Sequence, residues 1–162
     1  MIINRVEIRS FKIEDLQDFT DMFTTYFRDD FEIEISDTGA KKLCEKITKE
    51  VLSNIMNLDL LIVDDKSIGF INSQVDTPKS DWCEREGWGF IREMYIHKKY
   101  RGNGLGIKFV DYLEEAFHNR GVDKIYLTSD DSGKFWTACG YEESGVVSSI
   151  NKDPIFEKRV IS

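Results

Sequence analysis

Met94-Tyr95-Ile96-His97-Lys98-Lys99-Tyr100-Arg101-Gly102-Asn103-Gly104-Leu105-Gly106-Ile107 is the stretch on which the reading of this chain turns. An apolar strand end runs into basic residues, then into glycines at alternate positions, and directly into a helix. That helix is read over Gly104–Arg120, with Phe109, Val110, Leu113, Ala116 and Phe117 on one side and Gly121 as its stop. Glycines leave little side chain in the way of a ligand and permit backbone angles that other residues avoid. The first N–H groups of a helix lack internal partners and lie at the positive end of its dipole. A junction built this way suits a phosphate or pyrophosphate. Lys98, Lys99 and Arg101 add positive charge. It is not a Walker A loop, since Gly106 is followed by Ile107-Lys108, and the dinucleotide pattern G-x-G-x-x-G would need glycine at Ile107.

Outward from that junction, the N-terminal side opens with a strand-like run, Asn4–Arg9. Ile13, Leu16, Phe19, Phe23, Tyr26 and Phe27 then recur at helical spacing. Ala40, Leu43, Ile47, Val51 and Ile55 form the stripe of a second helix, with Asp37 as its cap. Leu58–Val63 and Ser67–Val75 read as strands joined at Asp64-Asp65-Lys66, and Trp88–His97 as a long strand after a polar loop. Past the glycine junction, Lys124–Thr128 is a short buried strand and Ser132–Cys139 a short helix ended by Gly140. Glu142–Val160 supplies one or two closing strands. The order βααβββαβαββ predicts a mixed α/β (α+β) fold with a mostly antiparallel sheet and a parallel step around the 104–120 helix. Two prolines and no low-complexity tract predict one domain over residues 1–162.

Hydrophobic content of 41% and charged content of 32% fit a globular chain. No apolar run approaches the ~20 residues of a membrane span, and no secretory signal is read at the N-terminus, so the expected location is cytoplasmic. A net charge of −8 repels phosphate backbones and argues against nucleic acid as a partner; it favours cationic small molecules. Cys44, Cys83 and Cys139 have no metal-like spacing, and with His97 and His118 they complete no zinc set. No metal is expected.

Arg101-Gly102-Asn103-Gly104-Leu105-Gly106, preceded by Met94-Tyr95-Ile96, resembles the signature loop of the GCN5-related N-acetyltransferases (GNAT family). The element order resembles that family throughout, and Phe135-Trp136-Thr137-Ala138-Cys139-Gly140-Tyr141 is similar to its aromatic helix ending in Gly-Phe. The resemblance implies a sheet splayed between the fourth and fifth strands, helices on both faces, and acetyl-CoA as acyl-donor substrate. Its pantetheine arm would bond the backbone of Met94 and Ile96 as if it were a strand. Its pyrophosphate would rest on the amides from Gly102 to Ile107. Ser129 stands where the family often has Asn, and Phe135 and Trp136 read as packing residues or, as the resemblance implies, walls for the cofactor arm.

The implied reaction is direct attack of a primary amine on the thioester. An alkylamine with a pKa of ~10.4 is uncharged in only about one molecule in two thousand at pH 7, so a base is needed. Glu93, mid-strand among Ile91, Met94 and Ile96, is the candidate base. Arg92 and Glu93, as strand neighbours, face opposite ways and are poor partners for each other. The resemblance places the oxyanion donor at a backbone N–H near Met94 or Tyr95. Trp136 stands where the family often has the tyrosine that protonates the departing thiolate, and an indole N–H is no acid. Tyr141, Tyr95, Ser129 and Ser132 remain alternative donors, Tyr141 among the catalytic candidates. The resemblance implies an acceptor site lined by the first two helices and the loop between them, here Tyr26–Asp37, which mixes acids with aromatics and reads equally as a solvated loop; Tyr26, Asp29, Asp30 and Glu32 are its candidate residues for a small cationic or peptide amine. Two alternatives stay open: a non-catalytic acyl-CoA sensor of the same fold, and a transferase of a longer acyl group. The closing strands after Val146 offer an edge to a second copy, hence a homodimer.

Overall fold

The structure, a computed structural model, describes residues 1–160. The predicted domain of residues 1–162 thus extends two residues beyond those described. The chain gathers into two compact units. One is Met1–Asn72 with Glu93–Asn103; the other begins with Ser73–Arg92 and resumes at Gly104. Strands follow the order β1-β2-β3-β4-β5-β7-β6 in a seven-strand mixed sheet, as the α/β reading requires. β3 (Lys66–Val75) and β4 (Gly89–Ile96) each pass from one unit to the other along the chain.

In the first unit, β1 (Val6–Ser10) pairs antiparallel with β2 (Asn57–Val63), Val6 opposite Val63. The first strand therefore starts two residues later than read. The β2–β3 turn holds Asp64 and Asp65 at φ 47° and 67°, a left-handed conformation that aspartate tolerates, and the Asp64 carboxylate accepts from Arg5 N at 2.8 Å. Helices α1 (Leu16–Phe31) and α2 (Asp37–Leu52) bury their apolar stripes together with the strands. Phe19, Phe23 and Tyr26 meet Phe70 and Tyr95; the Phe19 and Phe70 rings lie edge to face at 5.2 Å. Burying each such ring stabilises the unit by roughly 2–3 kcal/mol.

Two helix boundaries differ from the sequence reading. α1 continues to Phe31 because Glu32 takes the left-handed cap at φ 54° and donates its N–H to Phe27 O, a task the sequence assigns to no glycine. α2 is capped by Ser36, whose Oγ accepts from Gly39 N at 3.0 Å; Asp37 is its first helical residue.

In the second unit, β4 runs parallel to β5 (Lys124–Thr128), with Gly89 opposite Ile125 and Phe90 opposite Tyr126. The pairing covers the first two residues of β4, which continues to Ile96. β5 continues antiparallel to β7 (Pro154–Arg159), and β7 to β6 (Glu142–Val147), whose register shifts between Glu143 and Val147. Helix α3 (Leu105–Asn119) buries Phe109, Val110, Leu113 and Phe117. α4 (Lys134–Ala138) is shorter than the predicted 132–139 span.

Candidate active site

The glycine junction has the backbone its sequence demands. Gly102 and Gly104 sit at φ 81° and 76°, where a Cβ would be strained, and Gly104 is the N-cap of α3. The first bond of the helix runs from Lys108 N to Gly104 O at 3.2 Å. Among the described residues, no acceptor is recorded for the amides of Gly102, Asn103, Gly104, Leu105, Gly106 or Ile107. The turn is held by its neighbours: Asn103 Nδ2 donates to Tyr100 O at 3.1 Å. Arg101 does not stand free as a cation for a ligand. Its Nε donates to Ile96 O at 2.6 Å and its Nη2 pairs with Asp30 at 3.2 Å, so it anchors the start of the loop. Lys98 and Lys99 are exposed, and Lys98 Nζ lies 4.0 Å from Asp29.

Glu93 lies on β4 within the first unit, partly exposed, and accepts a hydrogen bond from the Tyr26 hydroxyl. Tyr26 is buried, and its ring meets Phe70 and Tyr95 at 5.7 and 6.0 Å. The expected opposition of Arg92 and Glu93 appears in their partners: Arg92 Nη1 donates to Gln74 Oε1 and to Asp81, each at 2.9 Å. Burial pushes the Tyr95 hydroxyl above its ordinary pKa, with the nearby Arg101 charge opposing.

The acceptor candidates separate. Tyr26, Asp29 and Asp30 belong to the last turns of α1 and not to a loop. Asp29 pairs with Arg28 at 3.2 Å and Asp30 with Arg101, so both carboxylates already serve basic side chains of this unit. Glu32 is exposed at the helix cap.

The second unit holds the remaining candidates. Trp136 and Phe135 meet edge to face at 5.0 Å on α4. Ser129 Oγ donates to Asp131 Oδ1 at 2.8 Å. Tyr141 is 1% exposed against Trp136, and burial, followed by the Glu114 charge, pushes its hydroxyl far above the usual tyrosine range. A hydroxyl so placed gives up its proton less readily than a solvated one. Cys139 is buried with its thiol pushed up to about 11, which suits packing and not nucleophilic attack.

Several buried polar side chains escaped the sequence reading, Asn72 among them. Asn72 is 2% exposed on β3, and no donor among the described residues reaches its Oδ1. The signal was present: Asn72-Ser73-Gln74 interrupts an otherwise apolar strand.

A sequence model of the acetyltransferase (GNAT) family matches residues 16–141. The chain belongs to the GNAT acetyltransferase family. Glucosamine 6-phosphate N-acetyltransferase 1 of Dictyostelium discoideum is 32% identical over 63 residues, which span 38% of this chain and 40% of that protein's length. The PaiA N-acetyltransferase of Thermoplasma acidophilum, in complex with coenzyme A, shares the fold at TM-score 0.72 with 16% identity, covering 96% of this chain and 99% of that one. The aminoglycoside acetyltransferase AAC(6')-Ib, also with coenzyme A, superposes at TM-score 0.75 with 19% identity over 96% of this chain and 95% of that one. Family membership thus rests on the sequence model, and the two structures show that the fold is shared. The matched span includes both Glu93 and the glycine junction of this GNAT protein.

Proposed function

We propose that this GNAT chain transfers an acetyl group from acetyl-CoA to a primary amine by direct attack. The observation that carries the reading is the run of backbone amides from Gly102 to Ile107 for which the described residues offer no acceptor. A diphosphate supplies the acceptors such amides need, and the positive end of α3 favours its charge. The pantetheine arm would bond the backbone of Met94 and Ile96, although Ile96 O already accepts from Arg101 and has one lone pair left to share. A backbone N–H near Met94 or Tyr95 would hold the oxyanion.

In this reading Glu93 collects the proton of the attacking amine, directly or through water. The bond formed is N–C to the acetyl carbon, the bond broken is C–S, and the coenzyme thiolate leaves. A thiol of pKa ~8.5 is a fair leaving group without help, which matters because Trp136 cannot protonate it and Tyr141 is buried. A cationic amine suits the net charge of −8 better than a phosphorylated one. Glucosamine 6-phosphate and aminoglycosides, the acceptors in the names of the relatives, bracket that choice and belong in the first panel with a polyamine and a peptide N-terminus.

The test is free-thiol release from acetyl-CoA across that panel, beside calorimetry with coenzyme A. Heat of binding together with thiol release for at least one amine is expected. Absence of heat with coenzyme A and with its acyl forms ends the reading. Trp136 at the position of the thiolate's usual acid favours one alternative, an acyl-CoA sensor. Thermal stabilisation by acetyl-CoA with no thiol release for any amine would support that instead; ligand at a hundredfold over its Kd stabilises by about 2.7 kcal/mol.

A further inference from the structure

We infer that Asp30 is a positioning residue for the coenzyme and not for the acceptor: its carboxylate holds Arg101, and through Arg101 it fixes the point from which the Gly102–Ile107 amides set out. The inference rests on the coenzyme-binding reading above and gives α1 a part in that binding.

The end of α1 carries its charges against the helix dipole. Asp29 and Asp30 lie in its last turns, where the negative end of the dipole disfavours acids. Cations from the turn after β4 offset them. Lys98 Nζ lies 4.0 Å from Asp29, and Arg101 Nη2 donates to the two Asp30 oxygens at 3.2 and 3.3 Å. Asp29 also has Arg28 on its own helix, whereas Arg101 reaches Asp30 from 71 residues away in the sequence.

Arg101 completes the connection from its side. Its Nε donates at 2.6 Å to the carbonyl of Ile96, five residues back and the last residue of β4. The next residue is fixed to β3, with His97 N donating to Ile68 O at 2.8 Å. Between Ile96 and Arg101 the chain makes one turn, closed by Tyr100 N to His97 O at 2.9 Å and Arg101 N to Lys98 O at 3.2 Å. The guanidinium thus clamps a strand carbonyl and a helix carboxylate at once, and its planar fork gives that clamp one orientation. Its backbone leads straight into Gly102. A Cβ built on Gly102 would meet no other atom within 4 Å, so side-chain packing does not hold the loop at that point. Order there comes from the Arg101 clamp and from Asn103 Nδ2 donating to Tyr100 O at 3.1 Å. A loop held before the ligand arrives leaves less ordering to be done on binding.

Three roles for Asp30 predict three different results. As a positioning residue, its neutralisation loosens the start of the loop and weakens coenzyme A. As a mere competitor with the diphosphate for Arg101, its neutralisation frees the guanidinium and tightens coenzyme A. As a ligand of the amine, its neutralisation raises amine KM and leaves coenzyme A alone.

The experiment measures the calorimetric Kd of coenzyme A, KM for the best amine of the panel, and thermal midpoints in wild type, Asp30→Asn, Arg101→Ala and the double variant. The calorimetric arms need no turnover. For Asp30→Asn a Kd raised about threefold to tenfold is expected, with amine KM within about twofold. Its midpoint should be unchanged or higher, because an acid leaves the wrong end of a helix. The double variant should bind coenzyme A no more weakly than Arg101→Ala, since both substitutions break one pair. An unchanged or lower Kd in Asp30→Asn overturns the inference and leaves the coenzyme-binding reading intact. Additive losses in the double variant overturn it as well, since Asp30 would then act other than through Arg101. A lowered midpoint with Kd and amine KM both raised shows a structural role and overturns it too. Absence of heat from the wild type with coenzyme A and its acyl forms fails the coenzyme-binding reading itself, and the inference with it.

Discussion

Two tyrosine–carboxylate hydrogen bonds, one in each unit, show how differently the same pair of groups can be used. In the second unit Tyr126 donates to Asp76, which is 2% exposed and also accepts from Gln74 Nε2 at 2.9 Å, Glu84 N at 3.0 Å and Arg85 N at 2.9 Å. Every bond ties down the 76–88 loop, and the carboxylate's lone pairs are used by the fold. Burial and the bond to Asp76 push the Tyr126 hydroxyl well above its usual range. In the first unit Tyr26 donates to Glu93, whose side chain keeps part of its surface exposed. A saturated buried carboxylate is architecture. A partly exposed one is within reach of a group from outside the chain.

The comparison breaks most visibly at Asp76. Asp76→Ala would leave two amides, a phenol and a side-chain amide without their acceptor, and is expected to cost about 4 kcal/mol or more, read as the urea midpoint of unfolding. Glu93→Gln should change stability by no more than about 1 kcal/mol and lower thiol release by about a hundredfold at neutral pH. Full activity of Glu93→Gln across pH 6–9 would remove Glu93 as the base. Tyr26→Phe sharpens the contrast: it keeps the packed ring, removes one donor to the carboxylate, and is expected to lower kcat/KM about tenfold with little loss of stability. If Tyr26→Phe were instead as destabilising as Asp76→Ala with activity preserved, both pairs would be architecture.

The architecture was legible where local pattern and tertiary packing agree. Lys124–Thr128 coincides with β5 because a short apolar strand between Gly121 and a polar loop has one reading. The glycine junction was legible because φ values of 81° and 76° require glycine there. The end of α1 was not, since a glutamate supplies the left-handed cap, and with it the acceptor candidates moved from a loop onto a helix. The roles of Asp30 and Arg101 were hidden for another reason: they are 71 residues apart, and only the fold makes them an ion pair. Asn72 shows the middle case. Its polarity in a buried strand was visible in the sequence, but which side chains meet it depends on strand register, which no local pattern encodes.

The smallest effect compares the units through their thiols, Cys44 in the first and Cys139 in the second. Burial pushes each up to about 11, against an ordinary value of 9.0. In the unfolded chain these thiols ionise first, so the stability tied to their neutral forms is complete below pH 9 and is lost as pH rises through 11. At pH 9.5 each should have cost the native state on the order of 1 kcal/mol. Tyr126 and Tyr141, raised from 10.0, add little at that pH because they stay largely protonated folded and unfolded alike. Thermal midpoints between pH 8 and 9.5 should therefore fall less steeply in Cys44→Ala and in Cys139→Ala than in the wild type, by similar amounts. A shallower slope for one variant and not the other would mean that one unit opens to hydroxide before the other. An unchanged slope for both would mean that neither thiol is as shielded as its burial implies.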